Sequence, residues 1–192
     1  NLEAALKYWN PSHKPVVDQI ASSPQPRLKA DILDRAFAVA PASQLLLEDF
    51  RNTQVWLEHL RIFPSYRFEL RPKPGEQFDL LFHPIVKNGW GKKSDRIFSI
   101  LRGIPSLTVG MDLFNLKGQA INLESRVRFD AQKRRAFSEI SAPIGGRPPW
   151  RGRFYVDARK ENWDLSRSYQ RVAPLPGDLR LRRLAAGFEL NN

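Results

Sequence analysis

The stretch Ala120–Asp130, AINLESRVRFD, divides its residues between two chemistries without a break. Ile121, Leu123, Ser125, Val127 and Phe129 fall on one side; Asn122, Glu124, Arg126, Arg128 and Asp130 fall on the other. Successive strand side chains point to opposite faces, so this spacing predicts one β-strand with an apolar face and a charged face. Its length also matches the roughly 9 to 11 residues that a tilted strand needs to cross bilayer hydrocarbon. What each face meets decides the fold of the region.

Downstream, Arg151–Arg159 repeats the pattern: Gly152, Phe154, Val156 and Ala158 alternate with Arg151, Arg153, Tyr155, Asp157 and Arg159. Leu184, Ala186, Phe188 and Leu190 alternate with Arg183, Ala185, Gly187 and Glu189. Leu107–Leu113 alternates around Thr108, Gly110 and Asp112; Arg135–Ala142 is a weaker strand with Phe137 on the face of Glu139, and Arg96–Arg102 is a short candidate with poor alternation. Turns fall at Asn115–Gln119 and Ile144–Pro149, a basic loop at Ala131–Arg134, and a longer polar connection at Ser166–Gly177. No helical pattern follows the glycine-punctuated join Asn88–Gly91, so no helix covers the apolar faces. Three architectures accommodate such strands: a sheet with one solvated side, a sandwich whose sheets cover each other, and a membrane barrel with lipid on one face and a wet interior on the other.

Upstream the character is different. Val16–Ala21 is a short apolar segment broken by Ser22-Ser23-Pro24-Gln25-Pro26. Arg27–Ala38 carries Leu28, Ile32, Leu33, Ala36 and Phe37 at helical spacing, and Leu46, Phe50, Leu57 and Leu60 form a second helical face behind Ser43 as N-cap. Tyr66, Phe68 and Leu70 then alternate with Arg67, Glu69 and Arg71, turn at Pro72-Lys73-Pro74-Gly75, and return through Phe78, Leu80 and Phe82. Strand, helix, helix, strand, strand is an α+β order, with two helices on one face of a three-stranded sheet. The division predicted is residues 1–13 as a lead-in from a preceding domain, 14–90 as the α+β domain and 91–192 as a run of antiparallel strands, which the resemblance given below implies are about the first six of an incomplete barrel.

The chain has 192 residues, no cysteine and a net charge of +11. Residues 1–90 hold 11 Lys and Arg against 10 Asp and Glu, whereas 91–192 hold 20 against 10, so the excess belongs to the alternating strands. Cysteine chemistry is excluded, and no apolar run reaches the roughly 18 residues of a transmembrane helix. The chain starts at Asn1, has Met111 as its single methionine and stops inside a strand pattern, which reads as a piece of a longer protein.

Lys14–Lys87, with Phe63 and Tyr66 where the second helix gives way to the hairpin, resembles a POTRA domain, the periplasmic module of bacterial outer-membrane assembly and translocation proteins. Running into alternating strands, with Phe114-Asn115-Leu116-Lys117-Gly118-Gln119, Phe129–Arg135 and Asn162-Trp163-Asp164 behind it, the chain resembles the BamA and TamA type of outer-membrane family, including bacterial surface antigens. It departs from that pattern where Ser-Ser-Pro replaces a Gly-Asn after the first strand and where Arg61-Ile62 replaces a glycine. The resemblance implies an α+β POTRA-like domain followed by an incomplete transmembrane β-barrel, placed in the bacterial outer membrane with the N-terminal domain in the periplasm. It implies unfolded client outer-membrane or secreted polypeptides, outer-membrane lipid and accessory periplasmic proteins as partners. Clients would add to the edge strand Tyr66, Arg67, Phe68, Glu69 and Leu70, then pass to the barrel, with Arg96–Arg102 on one side of a seam. Short turns would face the periplasm and Ser166–Gly177 the exterior.

No catalytic constellation is present: His13, His59 and His83 are dispersed without metal-ligand spacing, and Gly145-Gly146 lacks the helix and Lys-Ser/Thr of a phosphate loop. Neither an enzyme nor a cofactor is expected. Asp112, Glu124, Arg126, Arg128, Arg151, Arg153, Asp157, Arg159, Arg183 and Glu189 would line the barrel interior, as structural ion pairs or as an anion-attracting lumen in contact with a translocating chain. A basic RNA-binding surface is the alternative of a different class, weakened because Phe154 and Tyr155 point to opposite sides of one strand. A two-partner-secretion type exporter, or a barrel carrying a fused upstream enzyme domain, stays open within the membrane reading.

Overall fold

The computed structural model describes residues 2–75, 77–90, 103–146, 150–164 and 177–191. The candidate strand Arg96–Arg102 and nearly all of the Ser166–Gly177 connection lie outside them. The chain begins with helix α1 (Leu2–Trp9), followed by β1 (Val16–Ser22), α2 (Ala30–Arg35), β2 (Ser43–Gln44), α3 (Leu47–His59), β3 (Ser65–Lys73) and β4 (Gln77–Ile85). These strands form one sheet in the order β2-β1-β4-β3, with β1 parallel to β4. Five further strands, β5 (Thr108–Leu116), β6 (Ile121–Phe129), β7 (Lys133–Ile144), β8 (Trp150–Asp164) and β9 (Asp178–Asn191), make an antiparallel meander in sequence order.

The first sheet buries one face under the helices. Phe82, fully buried, meets Phe37 and Phe63 edge-to-face at 5.5 Å, and Ile32, Leu57, Leu60 and Ile62 close around it. Leu6 of α1 joins Val17, Leu45, Phe50 and Leu80 in a second cluster, so residues of the expected lead-in pack onto this module. Full burial of such side chains stabilises by about 1.5–3 kcal/mol each, which is the main force holding the helices on the sheet.

Three local expectations are corrected. The helix expected over Arg27–Ala38 contracts to Ala30–Arg35, because the Lys29 amide donates to the Gly118 carbonyl at 2.8 Å and Arg27 is engaged by Asn115. Ser43 does not cap α3: it lies in β2, which adds a fourth strand, and its hydroxyl donates to the Ala40 carbonyl. The α3 N-cap is Leu46, without a side-chain bond of its own, and the Leu47 amide is instead accepted by Asn10 Oδ1 at 2.6 Å. A long-range tertiary partner has displaced the local capping residue.

In the second sheet, cross-strand register puts all even positions of β6 on one face and all odd positions on the other. The odd face of β6 continues through Ile140 and Ala136 of β7, Phe154, Val156 and Ala158 of β8, and Leu184 and Phe188 of β9. Leu184 is 77% exposed and Phe188 62%, and no helix or second sheet covers them among the described residues. Among the described residues the five strands form an open sheet, with β5 and β9 at its edges.

Candidate functional site

The opposite face of the second sheet is charged and internally paired. Arg153 of β8 bridges Glu139 at 2.6 Å and Glu189 at 2.8 Å on the flanking strands. Asp157 sits between Arg135 at 2.8 Å and Arg159 at 2.6 Å. The strand spacing of about 4.8 Å lets the Arg153 guanidinium fork span both neighbouring strands, while Asp157 pairs once across strands, with Arg135, and once along its own strand, with Arg159. Tyr155 stacks on Phe137 with centroids 6.5 Å apart and lies over Gly187, where a Cβ would come within 2.6 Å of the ring. The glycine thus makes the seat for the tyrosine.

One end of this face carries the α/β module. Arg61 follows the last turn of α3 in left-handed conformation, φ 56°, and its guanidinium reaches Glu124 at 3.0 Å and Glu139 at 3.3 Å. Arg151, 6% exposed, donates to the carbonyls of His59 at 2.7 Å and Leu60 at 3.0 Å and to Ser141 Oγ at 2.6 Å. A cation there meets the negative end of the helix dipole and satisfies two carbonyls that the helix leaves unpaired. Asn122, 1% exposed, donates to the same Leu60 carbonyl and accepts the Asn115 amide. Asn115 in turn donates to Arg27 O and Asn88 Oδ1, both at 2.7 Å, and accepts from the Ala120 amide. Gly118, φ +68°, brings the β5–β6 turn against the module, where an added Cβ would lie 3.1 Å from the Arg27 carbonyl. Gly89 pairs with Phe114 through two backbone bonds, tying the join to β5.

The second feature is β3, which among the described residues pairs only with β4 and so lies at the edge of the first sheet. Tyr66, Phe68 and Leu70 face the helices, while Arg67 and Glu69 are exposed. Burial first, and then the neighbouring Glu58, push the Tyr66 phenol up to about 12. Pro72 sits at this edge, where a missing N–H costs least.

The structure distributes the other residues singled out by sequence as follows. Asp112 and Glu124 are opposite each other on β5 and β6; Arg126 faces Phe137. Arg128, Arg135, Arg159 and Arg183 form one row across four strands, and Arg128 also holds Asp130 at 3.1 Å. The Gln132 amide, with Arg128, keeps the Asp130 carboxyl below its ordinary value. Arg151 is drawn to backbone carbonyls rather than into a carboxylate pair. Sequence reasoning missed Arg61, Asn115, Asn122 and Glu139 as junction residues. The glycine-like position of Arg61 and the Asn115–Gly118 turn were the signals that pointed there. Among the described residues, no group of three His, Asp or Glu is placed to hold a metal, and no helix is long and apolar enough to cross a membrane.

The class defined by these features is an α/β module joined by hydrogen bonds and ion pairs to the antiparallel strands of an unclosed barrel. The same architecture is found in the structure of BamA from Haemophilus ducreyi lacking POTRA domains 1–3, with a TM-score of 0.50 and 10% identity, over 91% of this chain and 31% of that one. CdiB from Acinetobacter baumannii matches at TM-score 0.48 and 9% identity over 80% of this chain and 30% of that one. CdiB from Escherichia coli matches at 0.40 and 14% over 77% and 32%. The chain therefore spans about a third of the length of these structures, and at such identity the BamA match concerns the fold. No family model and no curated protein matches the sequence.

Proposed function

We propose that the chain is part of a bacterial outer-membrane barrel protein that assembles, inserts or translocates client polypeptides. The α/β module acts as a periplasmic POTRA-like domain, and the five-stranded sheet is one wall of the barrel. One observation carries this reading: among the described residues, no helix or second sheet covers the apolar face of the second sheet between Trp150, at the module end, and the level of Lys160. Ten residues of strand rise about 34 Å, or about 26 Å along the membrane normal at a tilt near 40°, close to the apolar band of about 25 Å in outer-membrane barrels. The BamA likeness supports it, since that structure lacks POTRA domains 1–3 and still covers 91% of this chain.

Clients add to the open edge of β3, where main-chain bonds bind with little sequence preference, and are handed to the barrel without covalent chemistry. The ion-paired face is the wet interior, where Arg135, Glu139, Arg153, Asp157, Arg159 and Glu189 are held by each other rather than offered to a ligand. The experiment is fractionation of the intact parent protein, followed by electrophoresis with and without heating. Outer-membrane location with a heat-dependent shift in migration is expected; a protein without that shift in a soluble fraction overturns the barrel. A photo-crosslinking residue at exposed Glu69 then tests the edge: capture of unfolded clients there, absent from a control position on Asp31, is the expected result.

A further inference from the structure

The apolar face of the second sheet does not end in neutral residues at the rim away from the module. Arg134 of β7, Lys160 of β8 and Arg182 of β9 are cross-strand neighbours in one row, all exposed and all on the apolar side, beside Phe129 of β6. Arg180 lies one step further out on the same face of β9. The next row inward on that face is Val127, Ala136, Ala158 and Leu184. A hollow of about 570 Å³ opens where the two rows meet.

Like charges directly opposite one another across strands destabilise a sheet, so an anion over this row would stabilise it. The protein supplies none to it among the described residues. Asp130 is held by Arg128 and the Gln132 amide, Asp157 by Arg135 and Arg159, and Glu161 by the Trp163 indole. Asp178 lies four residues beyond Arg182 on β9, about 13 Å away along the strand. The contrast with the row behind it is instructive: Arg135 and Arg159 on the interior face straddle a carboxylate, whereas Arg134 and Lys160, their sequence neighbours on the outer face, do not.

We propose that Arg134, Lys160 and Arg182 bind the phosphates of a multiply phosphorylated lipid whose acyl chains lie on Val127, Ala136, Ala158 and Leu184. The row spans two strand spacings, about 10 Å, so it matches a headgroup carrying more than one phosphate better than a single anion. Arginine and lysine at the boundary keep their stems on apolar surface and their charges in the headgroup layer. A free anion would satisfy the cations but leave the apolar row exposed; a lipid covers both. The proposal rests on the membrane reading above, and it places the phosphates at the leaflet opposite the module.

The test uses the intact parent protein purified in neutral detergent, with diphosphorylated lipid A titrated against its dephosphorylated counterpart and bound lipid counted by native mass spectrometry. The diphosphorylated lipid is expected to bind at least tenfold more tightly, to resist displacement by inorganic phosphate, and to lose that preference in the variant Arg134→Gln/Lys160→Gln/Arg182→Gln. The control Arg126→Gln, on the interior face and outside the lining of the hollow, is expected to keep it. Heat-dependent migration of each variant reports whether the barrel has formed. A barrel that forms with its lipid preference unchanged in the triple variant overturns the site alone. A protein that never enters the membrane overturns the barrel and the site together.

Discussion

Replacing Arg61 separates two quantities that the structure has combined at one residue. A left-handed conformation costs a non-glycine residue about 1–2 kcal/mol, and Arg61 adopts it at φ 56°. The same conformation aims the guanidinium at Glu124 and Glu139. The guanidinium is half-exposed, so each pair is worth about 1 kcal/mol at most after screening. Arg61→Ala keeps the conformation and loses both pairs, which predicts a loss of about 2 kcal/mol. Arg61→Gly loses the same pairs but relieves about 1–2 kcal/mol of backbone cost, leaving a net change below about 1 kcal/mol. Urea unfolding of the intact protein in micelles, followed by tryptophan fluorescence, measures the difference. Hydrogen exchange at residues 58–63 and 120–126 measures the junction itself, where Arg61→Ala should open about 30-fold more readily for a 2 kcal/mol loss and Arg61→Gly less than about fivefold more readily. Equal urea midpoints for Ala and Gly would refute the conformational part, and unchanged exchange in both would refute the bridge.

Gly187→Val should prevent Tyr155 from lying across β9, costing about 1–3 kcal/mol as an overpacked contact; Tyr155→Ala in the same chain should recover most of that loss in refolding yield. Gly118→Ala should destabilise by about 1 kcal/mol or more, since the turn needs φ +68° and the Arg27 carbonyl stands 3.1 Å from the new carbon; faster exchange of the Lys29 amide is the readout. The raised Tyr66 phenol contributes stability fully present below the ordinary tyrosine value of about 10 and lost as pH climbs towards about 12; unfolding midpoints of Tyr66→Phe should therefore fall less over that interval than those of the parent protein.

Much of the second sheet was legible because alternation at period two is a local property. Ile121 to Phe129 and Gly152 to Ala158 announce their faces without reference to any partner, and the cross-strand register keeps those faces together. The aromatic and aliphatic spacing upstream likewise gave the order of helices and strands. What was not legible is how each element ends. β7 and β8 extend past the expected limits to Lys133–Ile144 and Trp150–Asp164, because paired backbones continue where side-chain alternation weakens. α2 shortens because its first residues bond to the β5–β6 turn, about 90 positions away in sequence.

The sequence by itself therefore determined which residues share a face and which face is charged, because side-chain direction along a strand depends only on parity. Only the tertiary structure decided which charges meet. Arg151 looked like one more lumen cation until the end of α3 was brought over it, and Arg61 looked like a lost glycine until Glu124 and Glu139 stood within reach. Pairing depends on distances between segments far apart in the chain, and those distances are set by packing of the whole fold rather than by any local pattern.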